Sequence, residues 1–500
     1  MQVRYVATAP QSHPAELLAC GVTQGASSPE GALAALDEAL GGSVTRVLAS
    51  GDMRGRKADQ VLLYADGPGG AAGPRRVLLL GIGKTDAVDA EVVRGMAGRA
   101  VRAAEMLGIG STAVSLDGLG ELDDETKAQA AAEGAALAAW RFRELKAPDE
   151  EEPVTDVESV DIVGAGDSDA LATGAMAGAV IARAENLART LQSRPGNVAT
   201  PAHLASEAER VAGAVGLDVT IYDEARLAEE GMHAILAVSR GSQEEARLIV
   251  LEHRGGMKGD PPLVLVGKGL SFDAGGISIK PAAGMEDMKF DMSGGAAVIG
   301  AMQAIAELGV RANVVGIVPS AENLPSGTAV KPGDVIDTLA GKTVEVINTD
   351  AEGRLILADA LAYGARMKPA AMVDCATLTG GVVIALGRQA SGLFGNDDDL
   401  IDEVIAAGEA TGQRCWQLPI WDVYRKQLDS ATADLQNIGG REASSITAAC
   451  FLAEFVGDAK WAHLDIAGTA YGEGTAPYLR KGGYGLPTRL LVEWVRSRTR

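Results

Sequence analysis

The sequence predicts an α/β protein: a smaller N-terminal α/β domain, then a larger C-terminal domain with a mixed, largely parallel sheet flanked by helices. Three observations predict it. Wholly apolar runs such as Leu263-Val264-Leu265-Val266 read as strands buried on both faces, as in parallel sheets. Stretches of helical spacing, notably 294–308 and 355–366, alternate with such runs. At 500 residues and 47% hydrophobic content, the chain can bury a large core and is long enough for more than one domain.

The elements follow in order. Residues 1–165 hold short strand candidates, such as Val77-Leu78-Leu79-Leu80-Gly81, and a helix over 90–107. An acidic, proline-bearing stretch at 147–154 interrupts them before a further strand at 160–163. This N-terminal domain carries no catalytic motif, and an oligomer-forming or regulatory role is expected of it. A connecting helix is expected over 166–190, its pattern running through Ala188-Arg189-Thr190 until Pro195-Gly196-Asn197 breaks it. Residues 191–500 form the C-terminal domain, with strands expected at 248–251, 263–266, 314–318, 343–347, 371–374, 391–394 and 463–466. No internal repeat is present.

Composition excludes some functions. A formal charge of −22 argues against general nucleic-acid or anionic-membrane binding. The four cysteines are widely spaced without a CxxC pair, and the five histidines are scattered without HExxH, so neither a disulfide framework nor a thiolate zinc site is expected. No apolar run reaches membrane-spanning length, and Met1 to Cys20 lacks a signal-peptide core, so a cytoplasmic protein is expected. Gly81-Ile82-Gly83-Lys84-Thr85 suggests a phosphate loop, but that loop needs glycine where Leu78 stands.

The chemistry concentrates in the second half. The apolar strand 263–266 opens into Gly267-Lys268-Gly269-Leu270-Ser271-Phe272-Asp273-Ala274-Gly275-Gly276, which sets a lysine and a carboxylate beside permissive glycines. Lys280 follows, then Asp291 just before a helix. Further on, the β-branched run Thr343–Ile347 leads into Asn348-Thr349-Asp350-Ala351-Glu352-Gly353-Arg354-Leu355. Charged groups near a core must be paired or bound to metal, and four converging carboxylates repel unless cations join them. Ligation by oxygen without His or Cys suits Mn²⁺ or Mg²⁺, and Zn²⁺ also accepts carboxylates. The alternative is structural ion pairing, with Lys268–Asp273 and Asp350–Arg354 as local salt bridges.

At these residues the chain resembles the leucine aminopeptidase, or cytosol aminopeptidase, family of two-metal exopeptidases. Residues 348–355 are similar to that family's signature octapeptide. Val266-Gly267-Lys268-Gly269, Phe272-Asp273-Ala274-Gly275-Gly276, Ile279-Lys280-Pro281 and residues 288–295 look like its other motifs in order. The likeness runs from Asn186-Leu187-Ala188-Arg189 to His463-Leu464-Asp465-Ile466-Ala467-Gly468 and is weak over the first half.

The resemblance implies two divalent ions per subunit, Mn²⁺ first and Zn²⁺ second. Lys268, Asp273, Asp291 and Glu352 would hold the tighter ion; Asp273, Asp350 and Glu352, with the Asp350 carbonyl, the looser one. Lys280 and Arg354 match its two catalytic positions that are not ligands. Met288, Thr377, Leu378, Gly380 and Ala467 match the pocket for the substrate's first side chain, and Lys280 and Asp291 also count among substrate-contacting positions. The implied activity is removal of N-terminal residues from peptides, with a preference for Leu and other apolar side chains, by a homohexamer. A water bridging the ions would attack, bicarbonate held by Arg354 would accept its proton, and Lys280 would stabilise the oxyanion.

Elementary chemistry agrees. Lys268 can ligate only as a neutral amine, so its coordination is linked to pH. Lys280 must stay protonated to meet a developing oxyanion. Arg354 does not deprotonate in this range, and its planar fork suits an anion. His463 reads as a satisfied core histidine, and Cys375 and Cys450 as buried hydrophobes. Residues 441–445 read as a loop near a subunit contact. Two rival readings are a DNA-binding accessory or transcriptional role, as in some bacterial relatives, and nucleotide hydrolysis at Gly83-Lys84-Thr85.

Overall fold

The computed structural model describes residues 1–65, 73–147 and 155–499. The acidic break expected at 147–154 lies, Ala147 apart, outside the described residues. The chain divides into two compact units, Met1–Arg183 with Glu473–Arg480, and Ala184–Gly472 with Lys481–Arg500. The long helix Ser168–Ser193 contains the point of division. Among the described residues no helix is long and apolar enough to cross a membrane.

In the first unit the strands are β1 (Gln2–Val6), β2 (Leu18–Thr23), β3 (Gln60–Tyr64), β4 (Arg76–Gly83), β5 (Ser111–Ser115) and β6 (Ser159–Val163). They form one sheet in the order β1-β6-β5-β2-β4-β3, parallel except for β3. The helices Ala90–Met106 and Asp124–Ala139 approach closely, since a Cβ at Gly134 would lie 2.1 Å from the Arg94 carbonyl oxygen. Segment Glu473–Arg480 is tied into this unit by Arg480, whose Nη2 lies 2.6 Å from Glu105 Oε1. Nothing in the hydrophobic pattern of residues 473–480 announced that return.

In the second unit the strands are β7 (Asp218–Tyr222), β8 (Arg247–Arg254), β9 (Leu263–Gly267), β10 (Gly269–Asp273), β11 (Asn313–Asn323), β12 (Val335–Asp337), β13 (Thr343–Glu345), β14 (Ala371–Ala376), β15 (Ser391–Gly395), β16 (Cys415–Gln417), β17 (Leu435–Gln436) and β18 (Trp461–Asp465), with a small separate pair, β19 (Tyr471–Gly472) and β20 (Gly482–Gly483). The main sheet runs β16-β15-β18-β14-β9-β11-β8-β7, with β10 also beside β11. Its centre, β18-β14-β9-β11, is parallel, while β8, β7 and β15 pair antiparallel. Helices cover both faces. Gly316 on β11 meets Met302 and Val298 of helix Ser293–Glu307, whereas the next residue, Ile317, meets Gly364 of helix Gly353–Arg366. Adjacent strand residues point to opposite faces, so the two helices sandwich the sheet.

One strand departs from expectation. The run Thr343–Ile347 does not enter the main sheet. Only Thr343–Glu345 is extended, in a three-stranded sheet with β12 and β17. Apolar periodicity marks a strand but does not choose its partners, and three residues leave little register to specify them.

Candidate metal centre

Four chain segments converge at the carboxyl ends of the central strands, where open α/β sheets place ligands. Lys268 is the single residue between β9 and β10. Its backbone is pinned on both sides, its N–H donating to the Cys375 carbonyl (3.0 Å) and its carbonyl accepting from Gly295 N–H (2.7 Å). Such closeness needs glycine: a Cβ at Gly294 would lie 2.0 Å from the Cys375 oxygen. Lys268 Nζ reaches Asp291 Oδ2 (2.7 Å), Glu352 Oε1 (2.9 Å) and the Thr377 carbonyl (3.0 Å). Asp291 is carried on the 3₁₀ helix Met285–Met292, and its Oδ1 accepts from Thr377 Oγ1 at 2.6 Å.

Asp273 closes β10. Beyond it, Gly275 takes φ +87°, and a Cβ there would lie 2.6 Å from the Ser278 oxygen and 2.8 Å from Asp350 Oδ1. The resulting turn brings Lys280 back, with Nζ 2.7 Å from Asp273 Oδ2 and 2.5 Å from Asp350 Oδ1. Thr349 fixes the other wall: its Oγ1 donates to the Gly275 carbonyl (2.6 Å) and accepts from Ser278 N–H (2.8 Å). Asp350 and Glu352 then sit in the turn ahead of helix Gly353–Arg366. One oxygen each from Asp273, Asp350 and Glu352 lie within 4.8 Å of one another.

The ion pairs are therefore not the local ones that sequence spacing offered. Lys268 joins Asp291 and Glu352, Lys280 joins Asp273 and Asp350, and Arg354 Nη1 donates to the Asn437 carbonyl at 2.7 Å. Burial raises all four carboxyls above the ordinary range; Glu352 adds to this at Asp273, and Asp291 adds at Glu352. Burial alone would lower both lysines, but the surrounding acids outweigh it and raise them. Burial lowers the Arg354 guanidinium to about 10. Four carboxylates thus face two ammonium groups, an excess of negative charge in a desolvated place. Glu352 Oε2 is buried without a hydrogen-bond partner among the described residues. An oxygen-only surplus of this kind, with an unsatisfied carboxylate oxygen, fits divalent cations.

Of the remaining expected positions, Thr377 and Met288 adjoin the Asp291 side of this centre. Thr377 touches Asp291 directly, and Met288 lies on the same 3₁₀ helix three residues before Asp291. Leu378 and Ala467 donate their backbone N–H groups to Asp465 Oδ1, each at 3.2 Å. Gly380 opens helix Gly380–Leu386, and a Cβ there would meet open space. His463 is fully buried, with Nδ1 2.6 Å from Asp374 Oδ1, but its Nε2 has no partner among the described residues, so it is only half satisfied. Cys375 and Cys450 are buried as expected, and burial pushes the Cys450 thiol up to about 11.

Two asparagines escaped the sequence reading. Asn437 accepts Ile347 N–H at Oδ1 (2.8 Å) and donates from Nδ2 to the Asn348 carbonyl (2.7 Å), so it staples the octapeptide beside Arg354. Asn323, at the end of β11, reaches both Asp273 and Thr349. Asn437 gave no signal, since it sits in a non-periodic loop. Asn323 gave one: a polar residue ending the apolar strand β11 at its carboxyl end.

Residues 19–149 and 186–492 match two family models, the N-terminal and the catalytic domain of the cytosol aminopeptidase family. The chain belongs to the cytosol aminopeptidase family. A probable cytosol aminopeptidase of Roseiflexus castenholzii is 43% identical over 501 residues, covering 100% of both chains. One from Nitrosococcus oceani is 46% identical over 467 residues, with 93% of this chain and 92% of that one covered. Among solved structures, a point mutant of tomato leucine aminopeptidase superposes with a TM-score of 0.88 at 32% identity, covering 99% of this chain and 96% of that one. The bottromycin maturation enzyme BotP in complex with Mn gives a TM-score of 0.84 at 35% identity, covering 97% and 100%. As a cytosol aminopeptidase the chain is a peptidase hydrolase of a metal-dependent family, and its carboxylate cluster fits divalent ions.

Proposed function

We propose that this cytosol aminopeptidase removes Leu and other apolar residues from peptide N-termini at a centre for two divalent ions. The observation that carries the reading is the buried, unpartnered Glu352 Oε2 beside Asp273 and Asp350. Lys268, Asp273, Asp291 and Glu352 would hold one ion, and Asp273, Asp350 and Glu352 the other, with Mn²⁺ preferred over Zn²⁺. When bound, such ions supply Lewis acidity and acidify a water.

The chain's own residues supply the rest. Lys280, which its acidic neighbours keep protonated, stabilises the negative charge that develops on the scissile carbonyl oxygen. Arg354, with Nη1 spent on Asn437, retains further donors to hold bicarbonate as proton acceptor. The free amino group of a peptide would bind the looser ion, which restricts trimming to the amino end, and Asp291 also counts among the substrate-contacting positions. Met288, Thr377, Leu378, Gly380 and Ala467 line the pocket for the first side chain, and open space at Gly380 leaves room for it. We assign the peptidase centre to residues 191–500, an oligomer-forming or regulatory role to residues 1–165, and a homohexamer in the cytoplasm to the whole. The charge of −22 disfavours a DNA-binding role.

Leucyl-p-nitroanilide hydrolysis tests the proposal. Activity should vanish with a strong chelator, return with Mn²⁺, and stay absent in Glu352→Ala. Turnover by chelated enzyme or by that variant would refute it.

A further inference from the structure

The two oxygens of Asp273 are held differently, one by neutral donors and the other by an ammonium. Its Oδ1 accepts two donors, Gly275 N–H at 2.8 Å and Asn323 Nδ2 at 2.9 Å, while its Oδ2 faces Lys280 Nζ at 2.7 Å. The second Nδ2 proton of Asn323 goes to the Thr349 carbonyl at 3.0 Å. Both contacts are to acceptors, so the network fixes which end of the amide is nitrogen. Asn323 is itself 2% exposed, and its carbonyl accepts Ala274 N–H at 3.0 Å. The register of β10 on β11 sets Asp273 directly beside Asn323. A single buried amide thus bridges the end of β10 to the octapeptide that carries Asp350 and Glu352. The opposite side of Asn323 is closed as well, because a Cβ at Gly276 would lie 2.6 Å from its Oδ1.

From this geometry we infer that Asn323 is a positioning residue for the centre: it reserves Asp273 Oδ1 for hydrogen bonding, presents Oδ2 alone to a cation, and holds the Asp350 segment at a fixed distance from it. The inference rests on the two-ion reading above. Hydrogen bonds to the outer oxygen of a ligating carboxylate set its orientation, and removing such a partner costs about 10–100-fold in metal affinity. Asn323 acts only through Asp273 and Thr349.

Two variants test it. Asn323→Ala deletes the amide, and Asn323→Leu keeps its volume while removing the donating nitrogen without adding charge. Mn²⁺ affinity is measured by competition with a chromogenic chelator for wild type, both variants and Glu352→Ala. The visible spectrum of the Co²⁺-substituted proteins reports ligand geometry, and far-UV circular dichroism reports folding. The expected result is wild-type-like folding, Mn²⁺ affinity lower by about 10–100-fold, and an altered Co²⁺ spectrum in both variants. A packing role alone would leave Asn323→Leu unchanged in affinity and spectrum. A folded variant of either kind with wild-type affinity and spectrum overturns the inference alone. If wild type takes up no more Mn²⁺ than Glu352→Ala, the two-ion reading falls and this inference with it. If neither variant folds, the amide is a fold element and the positioning role is refuted.

Discussion

Asp359 provides a test that is independent of any metal. It lies on helix Gly353–Arg366, two turns beyond Glu352, and is fully buried. Oδ2 accepts Ala234 N–H (2.9 Å) and Ile235 N–H (3.1 Å), and Oδ1 accepts Leu339 N–H (2.8 Å). Asp359 therefore ties the start of helix His233–Ser239 and the 339 turn to the helix that follows the metal-ligand candidates. Burial outweighs those three donors and raises the carboxyl from 3.8 to about 7. The native state then binds the proton more tightly than the unfolded chain. The resulting stability is fully present below the unfolded value near 4 and is lost as pH rises through about 7. At about 1.4 kcal/mol per tenfold change in protonation, the swing is about 4 kcal/mol. In Asp359→Asn this titration is absent, and one amide donor faces the Leu339 N–H, a pH-independent cost of about 1–3 kcal/mol. Urea midpoints of wild type and variant, compared across pH, cancel the contributions of the other acids. The stability difference should move by about 4 kcal/mol in the variant's favour between pH 4 and 8. A difference flat to about 1 kcal/mol over that range would show that the carboxyl titrates normally and that the reasoning is wrong.

Three further outcomes are expected. Lys280→Ala should keep Mn²⁺, by elemental analysis, while kcat falls by about 10²–10³-fold, the usual cost of losing an oxyanion donor; loss of metal with retained turnover of reloaded enzyme would contradict it. Arg354→Ala should lower activity and abolish stimulation by added bicarbonate, and a stimulation equal to wild type's would remove the anion-holding role. Gly294→Ala would drive a methyl to 2.0 Å from the Cys375 oxygen, so it should destabilise by about 1–3 kcal/mol in a thermal melt; an unchanged midpoint would mean that the helix-to-strand approach relaxes freely.

Much of the fold and the centre is legible in the sequence. Apolar runs with helical spacing between them mark β9, β11, β14 and their two covering helices, because each local pattern can be buried in only one way. The helix expected over 294–308 forms as Ser293–Glu307, and that over 355–366 as Gly353–Arg366. Lys268, Asp273, Asp291, Asp350 and Glu352 stood out for a related reason. Each is a charge set against glycine or apolar sequence, and charge in such a setting needs a partner.

The partners themselves were decided by tertiary structure. Spacing paired Lys268 with Asp273, yet the fold gives it Asp291 and Glu352 and leaves Asp273 to Lys280. The strand Thr343–Glu345 was visible, but its place in a small sheet with β12 and β17 was not. Asn323 and Asn437, neutral amides with no periodicity of their own, acquire roles only where separate segments meet around them. Sequence fixes what a residue can donate, accept or carry as charge, since those are covalent properties. Which groups lie within about 3 Å of one another depends on how distant segments close together, and one chain read in order does not contain that distance.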